Sequence, residues 1–217
     1  LETLQAEGGV NVASPEWLQG VQQLARDTGA LFIIDDIQVG CGRTGSYFSF
    51  DGMDLDPDII CLAKGIGGIG TPLAMNLIKP ELDEHWSPGE HTGTFRGQNL
   101  SFVAGAEALG YFDDDELMRD VRRKGEVMRA GLERIRDAYS NQQFQVKGRG
   151  MIRGLDVLDG AMAKRIAGLC FENGLLLGPC GTDGRVLKLI PPLTIPDEDL
   201  DEGLAILAAS FDQALAS

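Results

Sequence analysis

The sequence predicts an α/β fold: a mostly parallel sheet with helices on it, followed by a small α+β domain. Three observations carry that prediction. Leu31-Phe32-Ile33-Ile34 is a short unbroken apolar run, the pattern of a strand covered on both faces, and it stops at Asp35-Asp36. A second run, residues 58–63, stops at Lys64 and passes into Gly65-Ile66-Gly67-Gly68. From about Phe144 the style changes to short strands interleaved with two helices, which fits an α+β arrangement.

Taken in order, Leu1 to Gln5 reads as the tail of a strand whose start is absent, so the chain reads as a fragment. Gln5-Ala6-Glu7-Gly8-Gly9 is a polar turn with one carboxylate beside glycines that let the backbone bend sharply. Ser14 can cap a helix with Pro15 at its first position, and Leu18, Val21, Leu24 and Ala25 recur at helical spacing until Gly29. Ile37 to Gly45 is too glycine-rich for a helix and too long for a hairpin turn, so it reads as a site loop, and Tyr47, Phe48 and Phe50 after it read as core.

Residues 72–78 form the third expected strand, and Thr94-Phe95-Arg96-Gly97-Gln98-Asn99 opens a helix whose apolar stripe is Phe102, Val103, Ala106 and Leu109. Asp113 to Glu116 place anions where the dipole of a long helix, 113–139, favours them; Leu117, Val121, Met128, Leu132 and Ile135 are its expected buried face. Strands are expected at 144–147, 151–157, 175–177 and 186–190, with helices at 161–172 and 196–214. The expected domains are 1–112 and 113–217.

A chain of 217 residues, 43% of them hydrophobic, can bury one sizeable core, or one core and a small second domain. Its 19 basic residues against 33 acidic ones leave a formal charge of -14, which disfavours nucleic acid and anionic membranes as partners. Cys41, Cys61, Cys170 and Cys180 show neither a Cys-x-x-Cys pair nor metal spacing, which suits reduced thiols in a cytoplasmic protein; with only His85 and His91, a histidine-rich metal site is not expected. No apolar run approaches the roughly 20 residues of a membrane helix.

Ligands of open α/β sheets bind outside the carboxyl ends of the strands, where Asp35 and Lys64 both fall. A lysine there can act as a covalent amine nucleophile beside an anionic partner. Taken singly, Lys64 reads as a surface lysine and Asp35 as a turn or capping residue. Their neighbours change that reading: Glu2-x-x-Gln5-x-Glu7-Gly8-Gly9, Asp35-Asp36-Ile37-Gln38-Val39-Gly40 with Gly42-Arg43-Thr44-Gly45, and Leu62-Ala63-Lys64-Gly65 occur in order. Gly93 to Gly97, Gly148 to Gly154 and Pro191-Pro192-Leu193 continue the series.

This ordered set resembles the class III aminotransferases, pyridoxal-phosphate enzymes of fold type I, over essentially the whole chain. The resemblance implies the C-terminal part of the cofactor-binding domain followed by the small domain. It implies that Lys64 bonds to pyridoxal 5'-phosphate and moves a proton at the substrate's Cα. Asp35 would pair with the pyridine nitrogen so that the ring accepts electrons, Ile37 would pack on one ring face, and Gln38 would bond to the ring hydroxyl. Thr94 resembles the residue that reaches the phosphate of a neighbouring subunit, which implies a homodimer with shared sites.

Glu7 resembles the acid that, in this class, pairs with a small-domain arginine and releases it when glutamate's α-carboxylate arrives. In this chain the corresponding position is Lys188, so a point charge replaces a bidentate fork. Lys188 or Arg185 supplies that charge, or Lys188 merely pairs with Glu7. The segments around Asp35, residues 77–82 and residues 89–97 are most similar to a branch whose donor is glutamate and whose acceptor is a semialdehyde; another ω-aminotransferase, an aminomutase or a noncatalytic fragment are the alternatives. In the family, the phosphate-cup glycine and serine and an aromatic that stacks on the ring lie N-terminal to Glu2, so the isolated chain is expected to be nearly inactive.

Overall fold

The computed structural model describes residues 1–68, 70–94 and 96–216. Ile69, in the glycine-rich run after Lys64, and Phe95, in the motif that carries Thr94, lie outside the described residues. In chain order the elements are β1 (Leu4–Gln5), β2 (Asn11–Val12), α1 (Pro15–Thr28), β3 (Ile33–Asp35), β4 (Ile59–Leu62), β5 (Met75–Ile78), α2 (Pro80–Asp83), α3 (Asn99–Gly110), α4 (Glu116–Ala138), β6 (Gln145–Arg149), β7 (Ile152–Asp156), α5 (Gly160–Glu172), β8 (Gly178–Cys180), β9 (Val186–Leu189) and α6 (Asp197–Leu215). They assort into two compact units. The first holds Leu1–Thr3, Ala13–Gly42 and Ser46–Glu116; the second holds Leu4–Val12, Arg43–Gly45 and Leu117–Ser217.

In the first unit α1 forms as its sequence directs. The Ser14 hydroxyl accepts the Trp17 N–H at 3.2 Å, Pro15 occupies the first turn, and Gly29 closes the helix at φ 69°. Its Leu18 packs with Phe32, Ile34, Phe50 and Met53. The sheet is mixed rather than mostly parallel: β3 and β4 run parallel, β4 and β5 antiparallel. Leu1 runs beside β3, donating from its amino group to the Ile33 carbonyl and accepting from the Asp35 N–H, both at 2.8 Å.

Two expectations fail here. Residues 31–34 are covered on one face only: Phe32 and Ile34 are buried against α1, while Leu31 and Ile33 are exposed. On α3 the residues that pack are Ser101 and Gly105, and the expected stripe residues Phe102, Val103 and Leu109 are exposed. Gly105 is the seat of that helix, since a Cβ there would meet Leu73 Cδ2 at 2.5 Å and the Ile66 carbonyl at 3.1 Å. Close approach through a small residue decides the helix's orientation, so its large apolar residues point away.

The second unit is a four-stranded antiparallel sheet, ordered β6-β7-β9-β8, with α4, α5 and α6 supplying its core and the β1-β2 hairpin belonging to the same unit. Leu132, Phe144, Leu155, Ile166, Leu187, Leu207 and Phe211 form one buried cluster. The α5 start is capped by Asp159, which accepts the N–H groups of Ala161 at 2.7 Å and Met162 at 3.1 Å. The strand expected at 175–177 lies instead at Gly178–Cys180. Leu175 is still tied to the end of α5 through its N–H to the Cys170 carbonyl at 2.8 Å, and Leu176 is exposed.

Candidate active site

Within the first unit, the β3–β4 pairing sets Asp35 opposite Cys61, and the Asp36 N–H extends the ladder to the Cys61 carbonyl at 3.0 Å. The strand pleat then gives the two aspartates different environments. Asp36 is fully buried: its Oδ2 accepts the Ser49 N–H at 3.0 Å, and its carbonyl accepts the Gly40 N–H at 2.9 Å. Gly40 is required there, because a Cβ would stand 2.5 Å from Asp36 Oδ2. Asp36 thus pins the loop after β3, and Asp35 is left half-buried with its Oδ1 accepting the Ile37 N–H at 3.1 Å. Burial pushes the neighbouring Cys61 thiol up, and the negative charge of Asp35 adds to the effect.

Lys64 begins a single 3-10 turn, Lys64–Gly67, directly after β4. Its φ of 51° is in the left-handed region, which costs an L-residue about 1–2 kcal/mol. The turn is fixed by Ile66, which is buried with Cys41 and Leu62, and by the Gly68 N–H on the Gly65 carbonyl at 3.1 Å. Lys64 is exposed rather than buried, and its ammonium makes no hydrogen bond or ion pair among the described residues. Ile37 and Gln38 are half-buried in the loop after Asp35, and Thr94 is exposed in a turn.

The donor set therefore fits a pyridoxal group on two counts. Asp35 keeps its Oδ2 without a hydrogen bond among the described residues, as a pyridinium N–H requires, and the Lys64 side chain, held by a strained turn, has no hydrogen bond or ion pair among them.

In the second unit, strand alternation turns Leu187 into the core and Lys188 to the opposite face. Lys188 is 8% exposed and donates from Nζ to Glu7 Oε1, whose side chain is 70% exposed. Arg185 instead pairs with the buried Asp156 at 3.2 Å, so Glu7 and Lys188 are the matched partners. Sequence reasoning missed two neighbours, Asn11 and Lys147, which bond at 2.5 Å. Alternation within 145–149 could have set Lys147 opposite Val146, but only strand pairing puts it on the same row as Lys188.

Arg43, expected in the site loop, is an anchor within this second unit: its guanidinium donates to the Pro191 carbonyl at 2.5 Å and the Met151 carbonyl at 3.2 Å. Burial pulls it down to about 10, which leaves it cationic at neutral pH. None of the candidate residues lines the groove of about 520 Å³ between α4 and α6, whose walls include Ile135, Tyr139, Leu204 and Asp212. Among the described residues no group of three or more His, Cys, Asp or Glu could hold a metal ion, and no helix is long and apolar enough to cross a membrane.

Comparison with known proteins agrees with these motifs. The family model for aminotransferase class III matches residues 1–211. A diaminobutyrate–2-oxoglutarate transaminase of Wolinella succinogenes is 49% identical over 215 residues, covering 99% of this chain and 50% of that protein. A relative of the same name from Marinococcus halophilus is 44% identical over 216 residues, covering 100% and 50%. An ornithine aminotransferase of Toxoplasma gondii, described with partial occupancy of PLP at its active site, superposes with a TM-score of 0.88 at 32% identity, covering 99% of this chain and 50% of that one. The chain thus spans about half the length of the curated relatives it matches.

Proposed function

The chain belongs to the class III aminotransferases, a pyridoxal-phosphate-dependent family, and from that premise we propose that the whole protein transfers the amino group of L-glutamate to L-aspartate 4-semialdehyde. The products are L-2,4-diaminobutyrate and 2-oxoglutarate, and the reaction is a step of ectoine biosynthesis. One observation carries the chemistry: a lysine without a partner among the described residues, in a left-handed turn after one strand, with an aspartate at the end of that strand's parallel neighbour. The diaminobutyrate specificity rests on the names of relatives at 44–49% identity.

Pyridoxal phosphate, when bound, supplies the carbonyl that accepts the amine and a ring that takes electrons from the substrate's Cα. Lys64 Nζ is its covalent anchor and takes the Cα proton as general base. Asp35 holds the ring nitrogen's proton, the side chain of Ile37 covers a ring face and excludes water, and Gln38 orients the ring hydroxyl. Lys188 receives the α-carboxylate of glutamate, and Glu7 neutralises Lys188 when the substrate carries no carboxylate on its reacting carbon. Thr94 completes the phosphate site of a second subunit, so the enzyme is a homodimer with shared sites, and its place is the cytoplasm.

In this reading, residues 1–112 are the C-terminal part of the cofactor-binding domain of fold type I, and 113–217 are its small domain with the connecting helix. The test is borohydride reduction of the full-length protein with its cofactor. A pyridoxyl adduct is expected on the Lys64 peptide and lost in Lys64→Ala; an adduct elsewhere, or none, sinks the assignment. Glutamate-dependent amination of aspartate semialdehyde, run against ornithine and 4-aminobutyrate as donors, decides the substrate.

A further inference from the structure

The second unit's sheet carries two lysines on one row. Register places Lys147 of β6 opposite Gly154 of β7, and Gly154 opposite Lys188 of β9, so all three share the face away from Leu155 and Leu187. The glycine between the lysines is filled from above by Val10: a Cβ on Gly154 would stand 3.0 Å from Val10, and one on Gly148 would stand 2.8 Å from it. Val10 is fully buried, and its φ of 56° is a rare conformation for a β-branched residue. The Glu7–Asn11 stretch therefore lies across this face and is held at both ends. Lys188 takes Glu7 at one end, and Lys147 takes Asn11 Oδ1 at 2.5 Å at the other.

The two ends differ in kind. Glu7 is largely exposed and makes a side-chain ion pair. Asn11 is a hub: besides accepting from Lys147, it donates to the Gly8 carbonyl at 3.0 Å and to Gln5 Oε1 at 3.1 Å, bracing the turn that presents Glu7. Lys147 is steadied in turn by the buried Asp156 at 3.7 Å. The Gly181 N–H on the Glu7 carbonyl at 2.9 Å holds the backbone of this turn.

We propose that Lys147 and Asn11 are positioning residues that set the enzyme's preference between substrates with and without a carboxylate on the reacting carbon, by holding Glu7 within reach of Lys188. The proposal rests on the assignment of Lys188 as the carboxylate-binding residue. With the anchor intact, Glu7 is a strong competitor for Lys188: a substrate carrying that carboxylate must displace it, and a substrate lacking that carboxylate finds Lys188 already neutralised. Loosening the anchor weakens the competitor, so the two substrate classes respond in opposite directions.

The experiment uses the full-length holoenzyme and measures KM and kcat for 2-oxoglutarate and for diaminobutyrate in Lys147→Met, Asn11→Ala, Lys147→Arg, Glu7→Gln and Lys188→Met. In Lys147→Met and Asn11→Ala the KM for 2-oxoglutarate falls and that for diaminobutyrate rises, each about three- to fivefold, the size of one intramolecular hydrogen bond. Turnover stays within about twofold, and Lys147→Arg restores both values. KM values that move together, or a loss of turnover without a split, would mean a purely structural role and overturn the proposal. If Glu7→Gln and Lys188→Met shift KM while Lys147→Met and Asn11→Ala do not, the anchor idea fails and the substrate assignment stands. If Lys188→Met leaves both KM values unchanged, the substrate assignment itself falls.

Discussion

The two units use similar elements but differ in what their apolar residues touch. In the second, Phe211, Leu207, Leu187, Leu155 and Leu132 meet in one buried cluster. In the first, all four residues of β5 are exposed, and Leu100 and Val103 of α3 are 73% and 70% exposed. An apolar sequence is therefore only an offer of a core; whether it becomes one depends on what is laid over it.

The largest test of that contrast is truncation. Phe211→Ala should lower the stability of the second unit by about 3–5 kcal/mol, read as the urea midpoint by circular dichroism. Leu77→Ala, as apolar but exposed on β5, should change the first unit by no more than about 0.5 kcal/mol. Equal losses at the two positions would erase the distinction.

A smaller effect separates two helix seats. At Gly125 of α4 an added Cβ meets the Gly150 backbone, with the carbonyl oxygen at 2.6 Å and its carbon at 2.7 Å. At Gly105 the nearest obstacle is the flexible tip of Leu73. Gly125→Ala should cost about 1–3 kcal/mol by overpacking. In Gly105→Ala, the better helix propensity, about 1 kcal/mol, offsets the clash, and the melting temperature moves little.

The smallest contrast is in pH. The Asp58 carboxyl is held below its usual value chiefly by the Phe32 N–H at 2.7 Å, with Lys79 at 3.3 Å assisting. A depressed carboxylate contributes stability above its unfolded pKa and loses it as pH falls through the folded one. Burial pushes Tyr139 up to about 12, and Asp212 at 2.5 Å adds to it. A raised phenol contributes below its ordinary value near 10 and loses that contribution as pH climbs towards about 12. Acid should therefore remove the Asp58 contribution from the first unit, and alkali the Tyr139 contribution from the second. Trp17 and Trp86, both in the first unit, report the acid transition by fluorescence, which Asp58→Asn should flatten. Phenolate absorbance lost in Tyr139→Phe reports the alkaline one.

Local chemistry was legible in the sequence. Ser14, Pro15 and Gly29 bounded α1, and the runs ending at Asp35 and Lys64 became parallel neighbours. What stayed hidden depended on distance along the chain. Asn11 and Lys147 are separated by 136 positions, so no window of sequence contains that pair, and Glu7 and Lys188, 181 positions apart, were joined only through the family resemblance. Backbone conformation was hidden too, since nothing about a lysine or a valine announces the left-handed φ of Lys64 or Val10. The facing of α3 was misread because a glycine, not a large residue, is its point of closest approach.

The pairing of Glu7 with Lys188 also has a schedule. A ribosome adding roughly 5–20 residues per second needs roughly 10–40 seconds to travel from one to the other. Through that interval the turn exists without its seat, because the glycines beneath Val10 are also made late. All of the first unit's segments have been synthesised by Glu116, so its chain can begin folding while the second unit's opening hairpin still waits for the strands that will receive it.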